Sequence, residues 1–158
     1  MKNTIIRKLS LVLIILMMIS LASCDLFKQE TTAPTTTVAN GEELQLPAIW
    51  KTATYTEDTE LGEGSKTFMF KVDAEGYSIT FTVHTDANTV GEALLALGLI
   101  EGEDSQYGLY VKTVNGMLAD HDVDGTYWSF YVNGEYAMSG VDTTDITEGF
   151  TYSFVRAK

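Results

Sequence analysis

The strongest constraint on the fold is a run of alternating apolar and polar residues between positions 67 and 84. Apolar side chains occupy every second position: Phe68, Phe70 and Val72, and then, after Ala74-Glu75-Gly76, Tyr77, Ile79, Phe81 and Val83. Successive side chains of a strand point to opposite faces of a sheet, so this period of two indicates strands with one buried face. The short break predicts that the two strands form a β-hairpin.

A helix is predicted directly after this hairpin. Thr89-Val90-Gly91-Glu92 has the spacing of a capping box, in which the threonine and glutamate satisfy each other's backbone N–H groups. Val90, Ala93, Leu94 and Leu97 then recur at helical spacing, and Gly98 is placed to end the helix. One amphipathic helix packed on a mostly antiparallel sheet is an α+β fold.

Further strands are predicted at residues 109–114, 127–132, 135–138 and 150–156. Asn133-Gly134 is a strong hairpin signal, because a type I′ turn needs a positive φ at both central residues. Earlier in the chain, residues 49–55 are interpreted as a first strand, and the acidic, glycine-bearing residues 57–64 as a loop.

The N-terminus has the pattern of a bacterial lipoprotein signal peptide. Lys2, Arg7 and Lys8 precede the apolar run 11–19, and Leu21-Ala22-Ser23-Cys24 fits a lipobox. The apolar run is shorter than the ~20 residues of a transmembrane helix. We expect residues 1–23 to be removed and Cys24 to carry lipid that anchors the chain on the outer face of the cytoplasmic membrane. The alternative is an ordinary secretory peptide followed by an unrelated cysteine.

Residues 24–48 are expected to form a tether, and residues 49–158 one folded domain. The tether is rich in threonine and poor in apolar residues, so it cannot offset the entropy of ordering. The whole chain has a net charge of −12, and three of its ten basic residues lie in the leader. A negative field repels phosphate, so nucleic acid is not expected as a partner.

The sequence offers little that would support catalysis. It has two histidines, His84 and His121, and its one cysteine is assigned to lipid. A Gly-x-Ser-x-Gly turn is absent from the sequence. His84 falls on the polar side of a predicted strand, where a solvated histidine is more common than a general base. We therefore predict that the protein is not an enzyme.

One acidic segment partly matches a calcium-binding loop. Asp120, Asp122 and Asp124 stand at the first, third and fifth positions, and Gly125 at the sixth. The twelfth position, where the loop needs a bidentate glutamate, is Tyr131. An acidic solvated turn between strands is the better interpretation, and no metal site is predicted.

Aromatic residues are concentrated within about thirty positions near the Asn133-Gly134 turn. Across that turn Tyr131 would face Tyr136, and Phe130 would face Ala137. One face would carry Trp128, Phe130, Val132 and Ala137, and the other Tyr127, Tyr131, Tyr136 and Met138. The second face could be the rim of another small core, with tyrosine hydroxyls in water, or a platform for a planar or protein ligand.

The same region resembles a known family. Tyr107-Gly108-Leu109-Tyr110-Val111, Val114-Asn115-Gly116, Thr126-Tyr127-Trp128-Ser129-Phe130 and Asn133-Gly134 are similar to the transcobalamin-like C-terminal domain, a domain of unknown function in many bacterial surface lipoproteins. The resemblance covers roughly residues 67–155. It implies a β-grasp fold of the soluble-ligand-binding type and cobalamin as a ligand. The vitamin carriers place a large α-helical barrel before this domain, whereas this sequence has the tether there.

Two functions follow from these observations. The first is a membrane-anchored module that binds cobalamin, another corrinoid or another bulky small molecule and passes it to a vitamin transporter. The expected ligand site is the aromatic surface of Tyr107, Trp128, Phe130, Tyr131 and Tyr136, with no cofactor required. The second is a cell-surface interaction domain that recognises protein or glycan.

Overall fold

The structure is a computed structural model that describes residues 45–158. The predicted leader 1–23, the lipidation site Cys24 and all but the last few residues of the predicted tether lie outside the described residues. Leu46, near the end of the predicted tether, packs against the core.

The described residues form two β-sheets with short helices between their strands. The strands are β1 (Thr59–Gly62), β2 (Lys66–Ala74), β3 (Tyr77–Thr85), β4 (Ile100–Ser105), β5 (Gly108–Val114), β6 (Met117–Leu118), β7 (Tyr127–Val132), β8 (Glu135–Tyr136) and β9 (Thr151–Ala157). The α-helices are α1 (Val90–Ala96) and α2 (His121–Asp124), and 3₁₀ helices span Ala48–Thr52 and Val141–Thr143. None of these helices has the length and hydropathy needed to cross a membrane.

The larger sheet has six strands in the order β1-β3-β2-β9-β7-β8, and the smaller sheet has the order β4-β5-β6. The pairs β1–β3 and β2–β9 are parallel, and the other strand pairs are antiparallel. The fold is therefore α+β, as the sequence predicts, with two sheets in place of the single expected sheet.

The core lies on one face of the larger sheet. The alternating residues of the first hairpin are buried there, and Phe68, Phe70, Phe81 and Val83 have no exposed surface. Val90 and Leu94 of α1, together with Val114 and Met117 of the smaller sheet, belong to the same apolar cluster. The opposite face of the sheet carries polar, partly exposed side chains such as Lys71 and Thr80.

The predictions for the first hairpin and for α1 are confirmed. Phe70 lies opposite Phe81 in the β2–β3 ladder. At the start of α1, the Thr89 hydroxyl accepts the Glu92 backbone N–H at 3.2 Å, and the Glu92 carboxylate accepts the Thr89 N–H at 3.3 Å. Gly98 has φ +65° directly after the helix, as a C-terminal stop requires.

The prediction of a strand at residues 49–55 is wrong. Residues Ala48–Thr52 form a 3₁₀ helix that follows Pro47, whose fixed φ suits the start of a helical turn. A single side chain attaches this segment to the core, because Trp50 is buried and its indole N–H donates to the Ala74 carbonyl at 2.9 Å. The segment does not bury every second side chain, as a strand would.

The prediction of a loop throughout residues 57–64 is also wrong, because β1 (Thr59–Gly62) pairs with β3 there. β1 is a short edge strand with little apolar surface, so its sequence has no strong periodic signal. The sequence likewise does not reveal β4 (Ile100–Ser105), which is exposed after its first residue and has a register shift between Glu101 and Gly102. Acidic edge strands are poor in the branched and aromatic residues that identify strands.

Candidate functional site

The candidate site is built on the β7–β8 hairpin. Asn133 and Gly134 have φ +50° and +83°, as the predicted tight turn requires. Tyr131 lies opposite Tyr136 and Val132 opposite Glu135, which confirms the predicted register. Regular strand pairing stops at Tyr136, although the Ala137 backbone N–H still donates to the Phe130 carbonyl at 3.0 Å. The hairpin is therefore a defined scaffold at the edge of the larger sheet.

The two aromatic faces of this hairpin have different environments. Trp128 is 7 % exposed, and the half-buried Phe130 packs on Phe154 with ring centroids 5.1 Å apart. These two predicted site residues thus belong to the core side. Tyr131 and Tyr136 lie on the other face, where their rings meet edge to face at 5.6 Å. Tyr136 is 63 % exposed, so it is available to a ligand.

Tyr107, the fifth predicted site residue, belongs to the other sheet. It lies in the turn between β4 and β5 and is 87 % exposed. No ring–ring contact joins Tyr107 to the β7–β8 hairpin among the described aromatic residues. The structure therefore brings Tyr131 and Tyr136 together, places Trp128 and Phe130 on the core side of the same hairpin, and places Tyr107 on a separate turn.

A groove lies against the hairpin and has a volume of about 460 Å³. It is lined by Val132, Asn133, Glu135, Tyr136, Ala137, Met138, Ser139 and Phe150. Its size is within the range of small-molecule sites, and its lining combines apolar surface with a few polar groups, as such sites usually do. Of the predicted site residues, Tyr136 alone lines it. Glu135 and Phe150 were not predicted as site residues. They come together only in the fold, where Glu135 begins β8 and Phe150 directly precedes β9.

The groove is accompanied by exposed apolar surface. Met138 is 97 % exposed and directly follows the hairpin. Flexible, polarisable methionine side chains are common at surfaces that adapt to ligands. Glu135 is exposed and brings a carboxylate to the lining. The lining of the groove thus combines apolar side chains, a tyrosine and one carboxylate.

The acidic segment at residues 120–125 is a helical turn rather than an extended loop. Asp120 caps α2 by accepting the Asp122 backbone N–H at 3.0 Å, and it also pairs with Lys112 at 3.3 Å. Asp124 accepts from the Thr126 hydroxyl and pairs with Arg156 at 2.9 Å. Two of the three aspartates are therefore engaged by side chains of the protein.

These contacts also shift proton affinities. The pKa of Asp124 is lowered, chiefly by the hydrogen bond from the Thr126 hydroxyl and then by the Thr126 backbone N–H. The pKa of Lys112 is raised because Glu103 and Asp120 both accept hydrogen bonds from its ammonium group. Within residues 45–158, no group of three histidine, cysteine, aspartate or glutamate side chains is arranged to hold a metal ion.

His84 connects three strands of the larger sheet. Its Nε2 atom lies 2.7 Å from the Glu60 carboxylate on β1, and its Nδ1 atom lies 3.0 Å from the Thr67 hydroxyl on β2. His84 also pairs directly with Thr67 in the β2–β3 ladder. These contacts hold the edge strand β1 against β3 and connect both to β2. This structural role accounts for the position of His84.

Comparison with known proteins places the chain near one uncharacterised family. A family model described as a domain of unknown function, DUF4430, matches residues 87–151. No curated protein matches the sequence. The matched segment runs from just before α1 to the first residue of β9, so it includes the β7–β8 hairpin and the groove.

Solved structures that match this chain include the following two. One is a crystal structure described as a "putative metal binding protein" from Ruminococcus gnavus ATCC 29149, with 27% identity and a TM-score of 0.56 over 60% of this chain and 98% of that chain. The other is haptocorrin in complex with Cbi, with 20% identity and a TM-score of 0.46 over 62% of this chain and 26% of that chain. The match to haptocorrin thus spans about a quarter of its length.

Proposed function

We propose that this chain is a lipoprotein anchored through Cys24 on the outer face of the cytoplasmic membrane, with a β-grasp-like domain that binds a bulky small molecule. A corrinoid such as cobalamin is the first candidate ligand, and a vitamin transporter is the proposed recipient. The domain acts as a binding module without a cofactor and without catalysis.

The groove beside the β7–β8 hairpin is the observation that carries this proposal. Its volume of about 460 Å³ accommodates an apolar ligand edge, and the exposed Tyr136 stands at its border. A corrin is broad, apolar across its face and ringed by amides. Tyrosine meets both requirements, because its ring provides flat apolar contact and its hydroxyl can hydrogen-bond an amide.

The expected affinity is modest. A whole corrinoid is larger than the groove, so only part of the ligand would be enclosed, and much of it would remain in water. We expect a dissociation constant on the order of micromolar to millimolar, which corresponds to roughly 4 to 8 kcal/mol. A partner such as the transporter would supply the remaining contacts.

The proposal is tested by titrating the protein with cobalamin and with cobinamide. Binding is measured by calorimetry and by the change in corrin absorbance. Tyr136→Ala should weaken binding, because it removes an exposed ring at the groove. Tyr110→Ala is the matched control, since Tyr110 is 41 % exposed but belongs to the smaller sheet. The proposal is wrong for corrinoids if no signal appears at millimolar ligand, or if the double change Tyr131→Ala, Tyr136→Ala leaves binding intact in a folded protein.

A second candidate function is recognition of protein or glycan at the cell surface. It is favoured by the tyrosines on the outer face of the larger sheet, where Tyr127 and Tyr136 are 37 % and 63 % exposed. Tyrosines that present rings and hydroxyls together are suited to both kinds of partner. Binding of isolated cell-wall glycan that is lost in Tyr127→Ala but retained in Phe150→Leu would favour this function over small-molecule binding in the groove.

A further inference from the structure

We propose that the groove beside the β7–β8 hairpin selects an apolar organic cation, that is, a ligand with a flat or aliphatic body and an ammonium-type group. This inference rests on the proposed function, in which the groove is the ligand site, and it specifies the chemical class that the site prefers. It is carried by three features: the one charged group of the lining, the apolar side chains on the same face of the hairpin and the distribution of charge over the domain.

The charged group is Glu135. Among the described residues that line the groove, it is the only aspartate, glutamate, lysine or arginine. It is the first residue of β8 and lies opposite Val132, so the strand pairing fixes the position of its backbone. Within residues 45–158, no basic side chain forms an ion pair with it. Its carboxylate is therefore free to meet a cationic group of a ligand whose apolar part rests against Val132 and Phe150.

The apolar part of the lining lies on the same face of the hairpin as Glu135. Val132 pairs with Glu135 across the turn, so these two side chains share one face, whereas Tyr131 and Tyr136 share the other. Val132 and Phe150 line the groove and pack against the core. A ligand whose apolar body rests on them can therefore place a charged group at Glu135.

The rest of the domain adds to this preference. The chain has 22 acidic and 10 basic residues. Four of the six basic side chains within residues 45–158 already bind acceptors: Lys66 binds the Ala87 carbonyl, Lys71 binds Asp73, Lys112 binds Glu103 and Asp120, and Arg156 binds Glu75 and Asp124. An anionic ligand would approach a surface of like charge, whereas a cation is steered toward it.

The test uses three ligands of nearly equal size that differ in charge: naphthylmethylammonium, naphthylmethanol and naphthylacetate. Each is titrated into the full chain, and binding is followed by NMR shifts of the residues at the hairpin. We expect the cation to bind about two- to fivefold more tightly than the alcohol, which is the range for an exposed ion pair. The anion should bind most weakly, and added salt should reduce the cation's advantage.

Glu135→Gln should remove most of the difference in affinity between the cation and the alcohol. The matched control is Glu101→Gln on β4, an exposed carboxylate of the other sheet, which should preserve the preference. Equal binding of all three ligands, or a preference for the cation that survives Glu135→Gln, would overturn this inference and leave the groove as a ligand site. If none of the three shifts the hairpin resonances while a corrinoid does, the cation preference is wrong and the proposed function stands. If neither kind of ligand shifts them, both proposals fail.

Discussion

The backbone of Asp142 lies against Gly91, so that a Cβ atom added to Gly91 would stand 2.7 Å from the Cα atom of Asp142 and 2.9 Å from its nitrogen. Helix α1 therefore packs backbone to backbone on the 3₁₀ helix Val141–Thr143, with no side chain between them. The same short helix follows Met138 by three residues. The contact thus connects the position of α1 to the segment that leaves the candidate site.

Gly91→Ala should destabilise the domain by about 1 to 3 kcal/mol, because the new methyl group meets backbone atoms that cannot rotate away. At an open helical position the same change would stabilise by up to ~1 kcal/mol, since alanine is the better helix former. Chemical denaturation measures the difference. Leu95→Ala, at a position of α1 that is 44 % exposed, is the control and should cost much less. A Gly91→Ala protein as stable as the unchanged chain would contradict the close packing.

The folding stability should depend on the charge of Asp124. Its pKa in the folded state is below the ordinary value of 3.8 because the Thr126 hydroxyl and N–H stabilise the carboxylate. A lowered pKa means that this stabilisation is complete above the unfolded-state pKa and is lost as the pH falls through the folded-state pKa. We expect stability to fall below about pH 4, with a shallower fall in Asp124→Asn.

Asp122→Asn is the matched control for this pH dependence, because the side chain of Asp122 is fully exposed. Denaturation midpoints measured between neutral pH and the acid limit of the fold compare the variants. An acid profile that is the same for Asp124→Asn and for the unchanged chain would show that Asp124 does not contribute.

Calcium should leave the thermal stability nearly unchanged. Asp120 and Asp124 are paired with Lys112 and Arg156, so a bound ion would have to displace two ion pairs. Calcium at a hundred times its dissociation constant would stabilise the domain by about 2.7 kcal/mol, or roughly ten degrees or more in melting temperature. A rise of that size in millimolar calcium, abolished by Asp122→Asn, would reveal a site that this arrangement does not predict.

Cys24→Ala should release the protein from membranes or leave it unprocessed, because two acyl chains on one residue provide a stable anchor and the unmodified chain has none from this source. Membrane fractionation and mass spectrometry of the mature N-terminus check this prediction. Ser23→Ala keeps a small residue before the cysteine and should still be processed and lipidated. Recovery of soluble, unmodified protein that retains residues before Cys24 would show that the segment is not a lipoprotein leader.

The sequence predicts best those elements whose signal is local. The alternation from Phe68 to Val83, the capping box at Thr89 and the Asn133-Gly134 turn each depend on residues close together in the chain. Each of these elements has the predicted form and register in the structure. Trp50 shows the opposite case, since what positions it is a hydrogen bond to Ala74, far away in sequence. No pattern within residues 49–55 contains that information.

The candidate site was predictable only in part, for the same reason. The turn type places Tyr131 opposite Tyr136, and the structure has this pair. Phe150 reaches the groove because β9 lies beside β7, a pairing between distant segments. The sequence also cannot distinguish the faces of the hairpin, because aromatic residues occupy both. Burial of Trp128 depends on which face the helix and the smaller sheet cover.

The position of β9 affects the order in which the fold can be completed. β9 comes after the other described strands in the sequence, yet it lies in the interior of the larger sheet, parallel to β2 on one side and antiparallel to β7 on the other. Until β9 emerges, the β1-β3-β2 half and the β7-β8 half have no strand between them. A chain synthesised from its N-terminus therefore keeps the facing edges of β2 and β7 unpaired until β9 has been made, and removal of β9 would divide the sheet into two pieces.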